Sequence, residues 1–155
     1  MNAVLAGLIA VCGTLAGSSL TFLFGRLTAQ RADRTAREER LRQERIAACA
    51  AFAGSMTELR QKMISLWLLR QRDPDGADTR AAYTEADQSG AAADHARFAL
   101  RLLTEDPGLL RLADSAFEPI SAIRHAAERS ELREHEDRLE EILNAFVQAA
   151  GRQFR

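Results

Sequence analysis

Apolar residues fall into three different rhythms along the chain, and each rhythm predicts a different kind of helix. From Ala3 to Phe24 they are nearly unbroken, with no charged residue. From Gly25 to Arg45 they almost vanish: Leu27 and Leu41 are the only large apolar side chains. From Ile46 onward they recur at three- and four-residue spacing, the mark of a helix with one face turned to a core. Cys49, Phe52, Met56, Leu59, Met63 and Leu66 form the first such stripe, with Trp67 beside it.

The later elements follow from the same spacing and from turn signals. RDPDGAD, Arg72 to Asp78, contains Pro74 and Gly76 and reads as a turn. A second helix is expected from about Thr79 to Leu103, with Tyr83, Ala86, Gly90, Ala93, Phe98 and Leu102 inward. Asp106 followed by Pro107 has the form of an N-cap with proline at the first helical position. The third helix offers Leu109, Leu112, Ala116, Ile120, Ile123 and Ala127, and Pro119 predicts a kink or break near Phe117. Ser130 reads as the N-cap of a last helix carrying Leu132, Leu139, Ile142, Leu143, Phe146 and Ala150, with Glu131 in its first turn. No alternating strand pattern occurs. The expected fold is all-α: an N-terminal transmembrane helix (1–25), a charged stalk helix (26–45) and an antiparallel bundle of three to four helices (46–155).

Three readings of the opening run compete. As an α-helix, Ala3 to Phe24 would extend about 33 Å at about 1.5 Å per residue, enough for a hydrocarbon core of about 30 Å. A cleaved signal peptide would want a basic start, a shorter apolar core and a small-x-small cleavage site. Only Met1 and Asn2 precede the run, and Phe22, Leu23 and Phe24 end it. A buried soluble helix would be apolar on one stripe rather than all round. The span is the reading that the length favours. Arg26, Arg31, Arg34 and Arg37 lie on its C-terminal side with nothing basic before it. The positive-inside rule then puts the N-terminus outside and the bundle in the cytoplasm, at the plasma membrane. These four arginines are expected to face anionic lipid headgroups.

Gly13 and Gly17 form a GxxxG, a spacing that lets two membrane helices approach closely. Glycine and alanine are also simply common in such helices, so self-association through this face is one of two readings. The stalk RADRTAREERLRQER is polar nearly all round, with Arg34–Glu38 and Glu38–Arg42 at helical spacing. A coiled coil through Leu27, Arg34 and Leu41 would carry a charge in its seam, which destabilises it.

Composition narrows the function. Net charge is −1, so no global field points to nucleic acid. Arg26 to Arg45 carries seven arginines against four acids, but no aromatic is interleaved as a nucleic-acid face would want. Twenty arginines against the single Lys62, with abundant alanine, match the residue usage of a GC-rich genome such as an actinobacterium's. Cys12 and Cys49 are too far apart in the predicted organisation to pair, consistent with a reducing compartment for Cys49. His95, His125 and His135 lack the Glu-x-x-His spacing of di-iron bundles. Glu134-His135-Glu136-Asp137 cannot converge on one ion, because consecutive helical residues point about 100° apart. No catalytic, cofactor-binding or metal-ligating constellation is found, and a small-molecule substrate is not expected.

The stretch GLIAVCGTLAGSSLTFLFGR, followed by REERLRQERIAACAAFAGSMTELRQ, resembles small single-span proteins of streptomycetes. Some of these are labelled KilB-like, after a membrane protein tied to the spread of conjugative plasmids. The likeness covers roughly residues 1–70 and is most specific over ERLRQERIAACAAFAG, Glu39 to Gly54. The C-terminal half shares only its helical, alanine-rich character. The resemblance implies a membrane location and a role in plasmid transfer, and it brings no functional residues. The expected function is that of a non-enzymatic, membrane-anchored bundle that binds a protein partner or a second copy. The alternative is a membrane-linked signalling accessory acting as a dimer through Gly13 and Gly17.

Overall fold

In a computed structural model, the backbone is described for residues 2–154 and side chains for residues 34–154. Among the described residues all secondary structure is helical: α1 (Asn2–Arg72), α2 (Ala77–Leu103), α3 (Pro107–Ser115), α4 (Phe117–His125) and α5 (Arg129–Gln153). The chain divides into two compact units, Met1–Leu41 and Arg42–Arg155. No described helix is long and apolar enough to cross a membrane, and the expected span, Ala3 to Phe24, lies outside the described side chains. Within the first unit, the side chains from Arg34 to Leu41 are exposed.

The second unit is a helical bundle built around the stripe of α1. Cys49, Phe52, Met56, Leu59, Met63, Leu66 and Trp67 are all buried. Phe52 stacks on Phe146 of α5 with ring centroids 5.0 Å apart and on Phe117 of α4 at 6.3 Å, both tilted. Such pairs add about 0.5–1.5 kcal/mol beyond the area they bury. Leu139, Leu143 and Ala150 continue the buried stripe of α5 on either side of Phe146.

Two breaks follow from local chemistry. Asp106 caps α3: its Oδ1 accepts from the backbone N–H of Gly108 (2.7 Å) and of Leu109 (3.2 Å), and Pro107 opens the helix. Helix α3 ends at Ser115, whose carbonyl is the one a residue at position 119 would have bonded. Pro119 has no N–H to offer, so the chain restarts at Phe117 with Pro119 in the first turn of α4, where no donor is needed.

Three expectations are corrected. In α2 the buried positions are Thr79, Ala86, Ser89, Ala93 and Leu100, while Phe98 and Leu102 are 52% and 87% exposed. Thr79, Ala86, Ala93 and Leu100 are seven residues apart, nearly two full turns, whereas Phe98 lies five beyond Ala93 and so on another face. In the last helix Ser130 is not the N-cap; Glu128 is, with no side-chain capping bond of its own. Glu131 instead reaches back, its carboxylate accepting from the N–H of Ala127 at 2.8 Å, one residue before the N-cap amide that a capping box would use. In the chain leaving α4, Ala126 rather than Ala127 is buried.

Candidate interaction surface

Helix α1 fastens the C-terminal ends of three other helices. Arg42 donates to the carbonyl of Phe154, at the end of α5, at 2.5 Å. Arg45 donates from Nε to the carbonyl of Leu103, at the end of α2, at 2.7 Å. At the opposite end of the bundle Arg70 donates to the carbonyl of Arg124 in the last turn of α4 at 2.6 Å. Trp67 Nε1 donates to the Ala126 carbonyl at 2.8 Å, a buried bond. The last carbonyls of a helix lack intrahelical partners and carry the negative end of its dipole, so arginines there satisfy both bonding and charge. Arg42 and Arg45 were expected only as part of a solvated stalk. No local pattern marks an arginine that will meet a distant helix end.

Ion pairs tie α2 to its neighbours. Lys62 of α1 bonds Glu85 at 2.7 Å, and this hydrogen bond, together with the carboxylate's charge, holds the ammonium above its usual pKa. Arg101 grips Asp114 of α3 through both carboxylate oxygens at 2.9 and 2.8 Å. The Arg97 guanidinium sits 4.4 Å from the Phe117 ring centroid and bonds Asp94 at 2.7 Å. Pairs this exposed contribute little individually.

Two surface features at the Arg42–Arg45 end stand out. One is a groove between α1 and α5, about 230 Å³ in volume and almost wholly apolar. Ile46, Ala50 and Ala53 form one wall, and Val147, Gly151 and Phe154 the other. Cys49 lies at its floor as a free thiol, and burial pushes its pKa up. The second is the outer face of α2, where Ala91, His95, Phe98 and Leu102 are all exposed. Ile46, Phe98, Leu102 and Val147 are four exposed large apolar side chains, all at this end of the bundle.

Among the described residues, chemistry-bearing groups do not converge. His95 and His125 are exposed and His135 is half-buried on α5. Among the described residues no group of His, Cys, Asp or Glu is placed to hold a metal ion. A broad depression of about 690 Å³ between α3 and the end of α5 presents Arg111, Ser115 and Arg152 at its rim. Of the sites expected from sequence, Arg34 and Arg37 are exposed. Gly13, Gly17, Arg26 and Arg31 lie outside the described side chains.

No curated protein and no solved structure matches the chain. A family model does match, over residues 46–154: that of the KilB plasmid transfer protein. The resemblance in the sequence points to the same family, over roughly residues 1–70. The match begins where the amphipathic stripe of α1 begins and runs to the end of α5, so the C-terminal half, which by the sequence resemblance shares only helical, alanine-rich character, carries the family signature as well. With its whole bundle matched, this chain belongs to the KilB plasmid transfer protein family.

Proposed function

We propose that this protein is a non-enzymatic, membrane-anchored component of plasmid transfer, whose bundle works by binding protein. The family match over residues 46–154 is the observation that carries the reading. It is supported by the uncharged run from Ala3 to Phe24 and the arginines that follow it, which suit a single span with the bundle in the cytoplasm. Arg26, Arg31, Arg34 and Arg37 would then meet the headgroups of the inner leaflet. The exposed apolar positions of the bundle suit contact with a protein, either a partner or a second copy. No cofactor, nucleic acid or small-molecule substrate enters the proposal.

The test joins topology to transfer. A green fluorescent reporter fused after Arg155 should fluoresce and sediment with membranes at full length, while an alkaline phosphatase fusion at the same point stays inactive. Deleting the gene should reduce plasmid spread between cells, and the full-length chain should restore it where residues 34–155 do not. Active phosphatase on a shortened, soluble product would sink the anchored reading. Full rescue by residues 34–155 would show that no anchor is needed.

A further inference from the structure

The depression between α3 and the end of α5 has a volume of about 690 Å³, three times that of the α1/α5 groove at about 230 Å³. Each helix contributes one arginine and one apolar side chain to it: Arg111 and Leu112 from α3, Ala149 and Arg152 from α5. Leu112 and Ala149 are half-buried and both arginines are exposed, so the floor is apolar and the charges stand at the edges.

These two arginines differ from others nearby. Arg42 and Arg45 hold helix ends, and Arg97 and Arg101 hold Asp94 and Asp114. Among the described residues, neither Arg111 nor Arg152 has an ion pair with a carboxylate. The acid three residues past Arg111 is Asp114, and Arg101 already grips both of its oxygens. One turn before Arg152 stand Gln148 and Ala149, both uncharged. Asp106 also borders the cleft, but its Oδ1 is occupied by the amides of Gly108 and Leu109. The negative end of the α5 dipole favours a cation at position 152 but supplies no carboxylate, and Arg111, in the middle of α3, has no such support.

We infer that this cleft binds an acidic segment of a partner protein, with carboxylates on Arg111 and Arg152 and an apolar side chain between them on Leu112 and Ala149. The inference deepens the protein-binding reading above and rests on it. Charge complementarity selects the occupant. A guanidinium presents a planar fork of donors that matches a carboxylate, and arginine is enriched where proteins meet. Shape selects a protein over a lipid surface. A flat bilayer surface would meet only the edges, whereas a concave apolar floor has room for an inserted side chain.

Fluorescence anisotropy with the full-length chain in mild detergent tests it. The probe is a fluorescein-labelled peptide repeating Glu-Ala-Leu-Glu, with Gln-Ala-Leu-Gln and Lys-Ala-Leu-Lys versions beside it, each read against protein-free micelles. The acidic peptide should bind and the other two should not. Arg111→Gln and Arg152→Gln should each weaken binding by about tenfold, the effect of losing a charge-assisted hydrogen bond, while the far-UV circular dichroism and Tm stay unchanged. Arg138→Glu, at an exposed arginine of α5 that does not line the cleft, should leave binding intact. Arg111→Glu combined with Arg152→Glu should reject the acidic peptide and take the lysine version instead. Phosphatidylglycerol mixed into the detergent should not displace the acidic peptide.

No binding of the acidic peptide by the folded chain would overturn the proposal, as would equal binding of the glutamine version. So would an equal loss from Arg138→Glu, or displacement by phosphatidylglycerol, which would give the cleft to a lipid headgroup. The readout is independent of plasmid spread. Peptide binding by a chain whose deletion leaves spread unchanged would sink the transfer role alone, and a transfer defect without peptide binding would sink the cleft alone.

Discussion

Leu100 and Leu102 are the same residue type two positions apart on α2, and the structure assigns them opposite fates. Leu100 is 1% exposed within the core and Leu102 is 87% exposed. Truncating Leu100 to alanine removes buried methyl groups and leaves a cavity that the surrounding helices only partly close, at a cost of about 2–5 kcal/mol. A domain of this size loses about 4 °C of Tm per kcal/mol, so Leu100→Ala should lower the midpoint by roughly 8–20 °C. Leu102→Ala removes no buried surface and should change stability by less than about 0.5 kcal/mol. The assay is thermal unfolding of the full-length chain by far-UV circular dichroism. The tryptophan fluorescence of buried Trp67 serves as a second probe of the same transition. Protein is kept dilute, because any assembly of the native state would raise the apparent midpoint with concentration. Equal losses from the two substitutions, or a larger loss from Leu102→Ala, would refute the seven-residue register of α2 and with it the exposed outer face.

Two further outcomes follow from particular contacts. Asp106→Ala removes both side-chain bonds to the first turn of α3 and should cost about 0.5–2 kcal/mol; Asp106→Asn should recover most of that, measured by urea unfolding at unchanged m-value. Cys49 is buried and its thiol pKa is raised, so in a Cys12→Ser chain it should react with iodoacetamide at neutral pH far more slowly when folded than in denaturant. Equal rates in the two conditions would place the thiol outside the core.

Much of the bundle was legible because short-range rules govern it. The stripe from Cys49 to Leu66 needed only helical spacing, and it is buried as expected. Pro119 had to break whatever helix it entered, because it lacks an N–H, and the break falls at Ala116. Asp106-Pro107 capped α3 through atoms no more than three residues away. Where the local signal was ambiguous, the reading slipped. Alanine is small enough to sit on either face of a helix, so an alanine-rich α2 does not announce its inward side. Phe98 and Leu102 read as core because they are large and apolar. The family resemblance is most specific over Glu39 to Gly54 and fades beyond residue 70, because the rest of the matched region, residues 46–154, is a set of ordinary amphipathic helices.

The sequence by itself determined that this chain is helical, where most of its helices begin and end, and which face α1 and α5 bury. Each of those depends on residues within a turn or two of one another. Only the tertiary structure decided that Thr79, Ala86, Ala93 and Leu100 form the inner face of α2, so that Phe98 and Leu102 stand outside it. It also decided that Arg42, Arg45 and Arg70 each find the end of a different helix, 112, 58 and 54 residues away along the chain. Partners so distant are set by how the helices pack, and no spacing along the chain encodes them.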